Sequence, residues 1–350
     1  MGLRILHSAD WHLGYSFASF PGEQREYLKA RQEEIPRKVA GLCRRENCDM
    51  VLLSGDILDS PEERRYTKLL KQTLESCSVP VLIAPGNHDY VNRESPWLRE
   101  SWPGNVHIFT GDLTDIPFEK LDCRVWGAGY RSMDCPGLLE NFRAEGPEKY
   151  RIGILHGDPL RSSSPYCPVT AAQLKDSGLG YLALGHIHKQ GQFRLGRRLC
   201  GWPGAPMGLG FHEPGPKGVY IVTLDEETRI EFHSLGAPEF YDREISVEEL
   251  YPLLAGTDKQ AFLKITLTGE DATPLEEVKE RFASYPNIHW IDRRSGFADP
   301  WRRAGEESLE GLYFRLLREK LEKASEEDRE IIRLAAKLSD RILEHEEVAL

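Results

Sequence analysis

The chain has 350 residues, of which 40% are hydrophobic and 29% charged, and its formal net charge is −11. These values indicate a globular protein with one large domain and a smaller addition, or with two domains. No apolar run approaches the roughly 18 residues that a membrane-spanning helix needs, and the N-terminus lacks the apolar core of a signal peptide. The acidic balance is unfavourable for a protein that coats nucleic acid with a basic surface.

Seven cysteines are scattered along the chain, and none of them forms a C-x-x-C pair. An odd number of dispersed cysteines argues against a disulfide framework and against a cysteine-rich zinc site. We therefore expect reduced, buried thiols and a protein of the cytoplasm.

The first half of the chain alternates short β-rich runs with helix-compatible stretches. The predicted strands are residues 3–7, 50–54, 79–84, 124–128, 151–155 and 181–184, and the main helical stretches are residues 24–42 and 62–76. This alternation predicts sheets with helices packed on their faces, which is an α/β layer architecture. Most of these strands end in Asp, His, Asn or Gly, and ligands of such folds gather beyond the carboxyl ends of strands.

The pattern changes near residue 218. Residues 219–224 and 229–233 predict a hairpin, and residues 240–300 predict a small α+β unit with a strand at 261–267, a helix at 274–284 and a strand at 288–292. Two amphipathic helices follow, the second starting at Ser325. Their apolar stripes are Leu309, Leu312, Tyr313, Leu316, Leu317 and Leu321, then Ile331, Leu334, Ala335, Leu338 and Ile342. We expect three segments with the bounds 1–235, 236–300 and 301–350.

Five short polar motifs follow predicted strands in chain order. They are Asp10-Trp11-His12, Gly55-Asp56-Ile57-Leu58-Asp59, Gly86-Asn87-His88-Asp89, His156-Gly157 and Gly185-His186-Ile187-His188. Carboxylate, imidazole and amide groups together suit borderline divalent metals such as Mn²⁺, Fe²⁺ or Zn²⁺. A carboxylate shared between two ions holds them about 3.5–4 Å apart. Each motif alone is also a common turn or capping sequence, but the whole set in this order indicates a two-metal phosphoesterase site.

In this order, D-x-H, G-D-x-x-D, G-N-H-D, a single H and G-H-x-H resemble the motifs of the calcineurin-like metallophosphoesterase superfamily. The resemblance implies a four-layer α/β/β/α core with a smaller α+β capping domain and a helical C-terminus. It implies that Asp10, His12 and His188 bind one metal, that Asn87, His156 and His186 bind a second, and that Asp56 bridges them. It also implies that His88 acts on the leaving oxygen without binding metal, while Asp59 supports the site. His107 competes with His156 for the single-histidine motif, and His156 is preferred because it closes an apolar strand and precedes a glycine.

The sequence after the last motif is similar to the DNA-repair exonuclease branch, which includes nuclease subunits of SbcC–SbcD type and YhaO-like bacterial proteins. The similar stretches are residues 181–188, 201–206, 211–213 and 217–222. The resemblance implies a DNA exonuclease and endonuclease with two divalent ions, Mn²⁺ by preference. It further implies a homodimer that assembles with an SMC-type coiled-coil ATPase of SbcC type through the C-terminal helices.

Several alternatives stay open at this point. The enzyme could cut a nucleotide, a cyclic nucleotide or a phosphoprotein, or the chain could be mainly a structural subunit that binds DNA ends. The stripes of the C-terminal helices equally suit packing on the body of the protein. An aromatic and basic cluster after the third motif suits either contact with nucleic acid or loop packing. That cluster consists of Arg93, Trp97, Arg99 and Trp102.

Overall fold

The computed structural model describes residues 2–271, 273–294 and 300–343. Within these ranges the strands are β1 (Leu3–Ser8), β2 (Met50–Leu53), β3 (Val81–Ile83), β4 (Val106–Ile108), β5 (Thr114–Phe118), β6 (Cys123–Gly127), β7 (Tyr150–His156), β8 (Tyr181–Gly185), β9 (Gly191–Leu195), β10 (Arg198–Trp202), β11 (Gly218–Leu224), β12 (Arg229–Ser234), β13 (Phe240–Ile245), β14 (Phe262–Leu267) and β15 (Ile288–Asp292). The α-helices are α1 (Gly22–Glu33), α2 (Ile35–Arg45), α3 (Thr67–Glu75), α4 (Pro96–Arg99), α5 (Ala171–Ser177), α6 (Val247–Ala255), α7 (Leu275–Arg281), α8 (Leu309–Lys323) and α9 (Glu326–Leu343).

The chain divides into two compact units. The first comprises the chain up to Tyr241 together with Gln260–Phe262, and the second comprises Asp242–Lys259 and the described residues from Leu263 onward. No helix in the described part of the chain is long and apolar enough to cross a membrane.

Two six-stranded sheets form the first unit. The first sheet has the order β12-β11-β1-β2-β3-β4, and the second has the order β5-β6-β7-β8-β10-β9. β1, β2 and β3 run parallel, with Ile5 opposite Met50 and Val51 opposite Val81. β7 and β8 also run parallel. The carboxyl ends of β1, β2 and β3 therefore lie at one edge of the first sheet, and those of β7 and β8 lie at one edge of the second.

The core of this unit has three apolar layers. Between the sheets lie side chains such as Ile5, Leu52, Ile154, Tyr181 and Val222. The outer face of the first sheet packs through Leu6, Val51 and Ile83 with Leu28, Val39 and Leu70 from α1, α2 and α3. The outer face of the second sheet packs through Leu155, Leu182 and Leu184 with Leu174 of α5. Successive residues such as Ile5 and Leu6 serve opposite layers because strand side chains alternate.

This layering confirms the predicted four-layer α/β/β/α architecture, and it shows where sequence patterns blur. The helical stretch predicted at 24–42 divides into α1 and α2 around Glu34. Pro36 has no N–H to donate to the carbonyl four residues earlier, so the helix is interrupted just before it. All seven cysteines lie in the described part of the chain and are free and buried, as predicted.

The second unit contains most of the sheet β13-β14-β15 and, within its described residues, the helices α6, α7, α8 and α9. β14 and β15 run parallel, with Leu263 opposite Ile288. α8 and α9 contact each other, and Ser325 caps α9 by accepting a hydrogen bond from the backbone N–H of Asp328. Several of the predicted stripe residues are exposed: Leu309, Leu312, Leu316, Ile331, Leu334 and Ile342. Both amphipathic helices thus form where expected and keep apolar side chains in solvent.

Candidate metal centre

The five polar motifs gather at the carboxyl ends of β1, β2, β3, β7 and β8. The backbone N–H groups of Asp10 and His12 donate to the carbonyls of Gly55 and Asp56, at 3.0 and 2.9 Å, which joins the first two loops. The backbone N–H of His186 donates to Asp10 Oδ1 at 2.9 Å and joins the second sheet to the first. Backbone hydrogen bonds thus hold loops from both sheets around one centre.

Asp10, His12 and His188 form what we call the first ligand group. One candidate ligand atom from each lies within 4.8 Å of those of the others. The Nε2 atoms of His12 and His188 are 3.2 Å apart, so both rings face the same point. Asp10 and His12 are almost fully buried. The residues predicted to share one metal are therefore brought together.

Asn87, His156 and His186 form the second ligand group. Asn87 Oδ1 lies 3.0 Å from His156 Nε2 and 3.3 Å from His186 Nδ1. The rings of His156 and His186 meet edge to face with centroids 5.3 Å apart. The competing residue His107 lies in β4 against the ring of Phe118, away from this group.

Asp56 lies between the two ligand groups. Its Oδ2 atom is 3.7 Å from His12 Nε2 and 3.2 Å from His156 Nε2. Its Oδ1 atom accepts a hydrogen bond of 2.9 Å from the backbone N–H of His88. Asp56 therefore places one oxygen near a histidine of each group, which is the geometry that a bridging ligand requires. Asp10 of the first ligand group also approaches the second, with its Oδ1 atom 3.9 Å from His156 Nδ1.

His88 and Asp59 stand at the open side of the centre. The side chain of His88 is 43% exposed, and its ring packs edge to face on His12 with centroids 4.6 Å apart. Asp59 Oδ1 lies 3.1 Å from His12 Nδ1 and 3.9 Å from His88 Nδ1. His88 also forms a possible ligand cluster with His12 and Asp56. Its exposure distinguishes it from the buried side chains of Asp10, His12 and Asp56.

The cluster after the third motif divides into a packed part and a solvent-facing part. Trp97 is buried, stacks on Trp102 with centroids 5.1 Å apart, and donates to the carbonyl of Asp89. Arg99 donates to the Arg93 carbonyl and pairs with Glu94. These contacts favour loop packing for the tryptophans over contact with nucleic acid.

The backbone at the centre is strained. Asp10, His12, Asp56 and His186 have φ values of 54°, 47°, 51° and 86°, in the left-handed region that non-glycine residues seldom adopt. Such conformations cost on the order of 1–3 kcal/mol each and persist where the surrounding structure enforces them. At Gly86 the limit is space and not backbone conformation, because a Cβ there would overlap the carboxylate of Asp56 and the ring of His156.

The electrostatic field of the centre attracts positive charge. Burial lowers the pKa of His12, but its hydrogen bond to Asp59 and the charges of Asp56 and Asp10 outweigh burial and bring the pKa to about 9. Burial likewise opposes the charge of Asp56 at His156, and the net pKa is again about 9. Burial and the neighbouring His156 lower the pKa of His186 to about 4. The carboxylates thus create sites in which a bound cation is stabilised.

The donor set fits divalent metal ions. Asp10 Oδ2 is buried and has no hydrogen-bond partner among the described residues, which is costly unless a cation or water completes it. Carboxylate oxygens, imidazole nitrogens and an amide oxygen are the mixed ligands that borderline divalent ions accept. The first ligand group, the second ligand group and Asp56 together could hold two such ions.

Two further carboxylates support the centre, and the motif search assigned neither a role. Asp89 is fully buried and accepts hydrogen bonds from the backbone N–H groups of Gly86, Asp56, Ile57 and Leu58, which ties the loop after β2 to the loop after β3. The other is Glu213, which contacts His188 at 2.7 Å. Burial raises the pKa of Glu213, but the hydrogen bond and charge of His188 and the charge of Lys217 outweigh burial and bring it to about 2. Asp89 ends the third motif, whereas Glu213 belongs to none of the five motifs and falls in the stretch 211–213 that resembles the exonuclease branch.

Comparison with known proteins agrees with this geometry. The profile of the calcineurin-like phosphoesterase family matches residues 3–190, which is more than half of the chain and contains all five motifs. The chain belongs to the calcineurin-like phosphoesterase family. Members of this family hydrolyse phosphoesters with divalent metals, which supports phosphoester hydrolysis and the use of divalent metals by this chain.

The chain is similar to three curated relatives over different lengths. The chain is 31% identical over 240 residues to the uncharacterized metallophosphoesterase YhaO of Bacillus subtilis, which covers 63% of this chain and 57% of YhaO. It is 23% identical over 335 residues to the SbcD component of the nuclease SbcCD from the same organism, covering 82% and 84% of the two chains. It is 24% identical over 197 residues to the DNA double-strand break repair protein Mre11 of Saccharolobus solfataricus, covering 53% and 49%. The match thus spans about half the length of YhaO and of Mre11.

Proposed function

We propose that this protein is a two-metal-dependent DNA nuclease, an exonuclease with additional endonuclease activity that acts in DNA repair. The observation that carries the proposal is the meeting of both ligand groups around the carboxylate of Asp56. DNA is proposed as the substrate because relatives that match this chain are named as a nuclease component and a DNA break repair protein.

In this proposal the first ligand group would hold one ion, the second ligand group would hold the other, and Asp56 would contribute its carboxylate to both. Mn²⁺ is the proposed ion, since it accepts the mixture of oxygen and nitrogen donors present here. When bound, the two ions lower the pKa of a water molecule and neutralise the charge that develops on the phosphate.

The protein's own contribution to the reaction is proposed to come from His88 and Asp59. His88 is exposed at the open side of the centre and gives a proton to the leaving oxygen as the phosphodiester bond breaks. Asp59 orients the rings of His12 and His88, to which its Oδ1 atom is 3.1 and 3.9 Å distant. Neither role requires His88 to bind a metal.

We further propose the division of labour along the chain. Residues 1–235 are the nuclease domain, residues 236–300 the capping domain, and residues 301–350 the docking region for an SMC-type coiled-coil ATPase. Within the described part of that region, α8 and α9 enclose an apolar groove of 520 Å³ lined by Leu309, Leu312, Tyr313, Leu316, Ile342 and Leu343. The protein is proposed to act as a homodimer in the cytoplasm, as the nuclease component of an SbcC–SbcD-like complex.

The nuclease proposal is tested with end-labelled linear duplex DNA, with Mn²⁺ or with a chelator. Wild type should degrade the DNA only with Mn²⁺, and His88→Ala should not. His107→Ala is the matched control, because His107 lies outside the centre and should leave the rate unchanged. Hydrolysis of bis-para-nitrophenyl phosphate without cleavage of DNA, alone or with the ATPase, would favour a small phosphodiester as substrate. DNA binding that persists without metal or cleavage would favour a structural role.

The docking proposal has its own experiment. Leu316→Glu places a charge in the apolar groove and should abolish co-purification with the co-expressed coiled-coil ATPase. Arg318→Glu is the control, since Arg318 is exposed on the same helix and does not line the groove. Equal co-purification of both variants would reject the groove as the docking surface.

A further inference from the structure

We propose that Glu213 is a positioning residue for His188, and that it secures the ion of the first ligand group without affecting the ion of the second. The inference rests on the metal-binding role proposed above for His188. It concerns a carboxylate that lies 25 residues beyond that histidine in the sequence and belongs to none of the five motifs.

Glu213 fixes which nitrogen of His188 is free to bind a cation. Glu213 Oε1 lies 2.7 Å from His188 Nδ1. A carboxylate only accepts hydrogen bonds, so the proton of the neutral imidazole is held on Nδ1 and the lone pair is left on Nε2. That Nε2 atom is the one that faces His12 Nε2 at 3.2 Å. Contact with Glu213 therefore selects the tautomer and the ring orientation that a metal requires.

Glu213 is itself held in place by Lys217. The Lys217 Nζ atom lies 3.3 Å from Glu213 Oε2 and donates to the backbone carbonyl of His188 at 3.0 Å. The backbone N–H of Ala205 donates to the same carbonyl at 3.2 Å. Glu213 and Lys217 are both about nine-tenths buried, so each compensates the other's charge. The segment that carries Ala205, Glu213 and Lys217 therefore contacts His188 at both its ring and its backbone carbonyl.

The segment that carries Glu213 and Lys217 connects the two sheets beside the first ligand group. Residues 203–217 carry the chain from β10 in the second sheet to β11 in the first. β11 pairs with β1, and the loop after β1 carries Asp10 and His12. The segment that holds His188 therefore leads directly into the strand beside the other two members of the first ligand group.

Among the described residues, no carboxylate lies within hydrogen-bonding distance of an Nδ1 atom in the second ligand group. His156 Nδ1 lies 2.8 Å from the backbone carbonyl of Ser54, a neutral acceptor. His186 turns its Nδ1 atom toward the ligand oxygen of Asn87, so that nitrogen lies on the side of the ion. Glu213 itself also lies near the exposed ring of His212, whose Nε2 atom is 3.4 Å from Glu213 Oε1, but His212 belongs to neither ligand group. Removal of the Glu213 charge should consequently weaken one ion and spare the other.

The test is a Mn²⁺ titration of the full chain, followed by calorimetry and by elemental analysis after dialysis. Glu213→Gln should lose about 10-fold in affinity for one ion, and Glu213→Ala should lose about 10–100-fold, while the second ion binds as in wild type. The Co²⁺-loaded variants should show an altered visible spectrum for one ion only. Glu148→Gln is the matched control, because Glu148 is similarly buried and doubly bonded to Arg124 away from the centre.

The outcomes separate this inference from the proposed function. Unchanged affinity for both ions in Glu213→Gln and Glu213→Ala, or an equal loss of both ions, would overturn the inference. If Glu213→Ala does not fold, the nearly isosteric Glu213→Gln carries the test alone. Wild type that binds two ions but leaves DNA intact would contradict the nuclease proposal and not the role of Glu213. His188→Ala that keeps both ions at full affinity would remove the basis of both.

Discussion

The first and the second ligand groups offer similar atoms to a cation but differ in what lies behind them. His12 and His188 contact the carboxylates of Asp59 and Glu213 through their Nδ1 atoms. His156 instead contacts the carbonyl of Ser54, and Asn87 contributes an uncharged amide. Carboxylates behind a histidine make it a more basic ligand. Two ions held by one centre therefore need not be bound equally, and we expect the first ligand group to bind its ion more tightly.

The largest effect is expected from Asp56→Ala, which removes the carboxylate that both ligand groups are proposed to share. The loss of a bridging carboxylate should abolish binding of two ions and lower turnover by about 10³-fold or more, because metal catalysis contributes several kcal/mol. Metal content by elemental analysis and kcat on a phosphodiester check this. The exposed Asp112 provides the control Asp112→Ala, which should change neither value. Two ions at full occupancy in Asp56→Ala would reject the bridge.

His88→Ala should leave both ligand groups intact while it removes the proposed proton donor at the open side of the metal centre. Turnover is expected to fall about 10²–10⁴-fold, which is the usual contribution of general acid catalysis. Both ions should remain at wild-type occupancy, as elemental analysis would show. Loss of an ion in this variant would mean that His88 binds metal, as its closeness to His12 and Asp56 allows.

Asp59→Asn tests the difference between the two ligand groups and is expected to have a smaller effect. The variant keeps the shape of the side chain but removes the charge behind His12, so the ion of the first ligand group should bind about 10-fold more weakly. The ion of the second ligand group should bind as before. Mn²⁺ titration with two resolved binding steps measures both affinities. A weaker second step with an unchanged first step would reverse the assignment of the two ligand groups.

The smallest effect on the centre is expected from Tyr181→Phe, which acts behind the second ligand group. The Tyr181 hydroxyl lies 2.7 Å from Nδ1 of the buried His7, whose Nε2 contacts Ser54 Oγ at 2.9 Å. Burial lowers the pKa of His7 to about 3, and a backbone hydrogen bond at Leu184 offsets only part of that effect, so the ring is neutral. Loss of the hydroxyl removes one hydrogen bond of this buried ring and should destabilise the fold by about 0.5–1.5 kcal/mol.

Chemical denaturation measures that loss. Tyr66→Phe is the control, since the Tyr66 hydroxyl contacts the exposed Glu33, and it should change stability by less than about 0.5 kcal/mol. Metal affinity should change less in Tyr181→Phe than in Asp59→Asn, because the contact between the Ser54 carbonyl and His156 does not involve the hydroxyl. A large loss of metal affinity in Tyr181→Phe would show that the second ligand group depends on this buried network.

The sequence predicted the buried strands because each is a short apolar run that ends in polar residues. β1, β2, β7 and β8 lie within one or two residues of their predicted bounds, and β15 has the predicted bounds. The strands β4, β5, β9, β10 and β13 were missed. Of these, β5 and β9 are half-exposed edge strands without an apolar run. The motifs could be recognised for a related reason. Each ligand lies at or just after the end of its strand, so its place in the sequence indicates its place at the edge of the sheet.

Glu213 was not predicted as part of the centre because its contact with His188 depends on the path of a whole connection. No local spacing links the two residues, and the pair forms only when the chain crosses from the second sheet to the first. The left-handed backbone of Asp10, His12 and Asp56 is likewise invisible in residue types, since only the surrounding hydrogen bonds enforce it. Tertiary constraints therefore complete a site whose ligands are local.

The most direct test of the two-metal claim is anomalous scattering from a crystal of the protein grown with Mn²⁺. Two anomalous peaks are expected about 3.5–4 Å apart, both within bonding distance of the Asp56 carboxylate. One peak should lie among Asp10, His12 and His188, and the other among Asn87, His156 and His186. A single peak at saturating Mn²⁺, or two peaks that do not share Asp56, would contradict a two-metal centre bridged by Asp56.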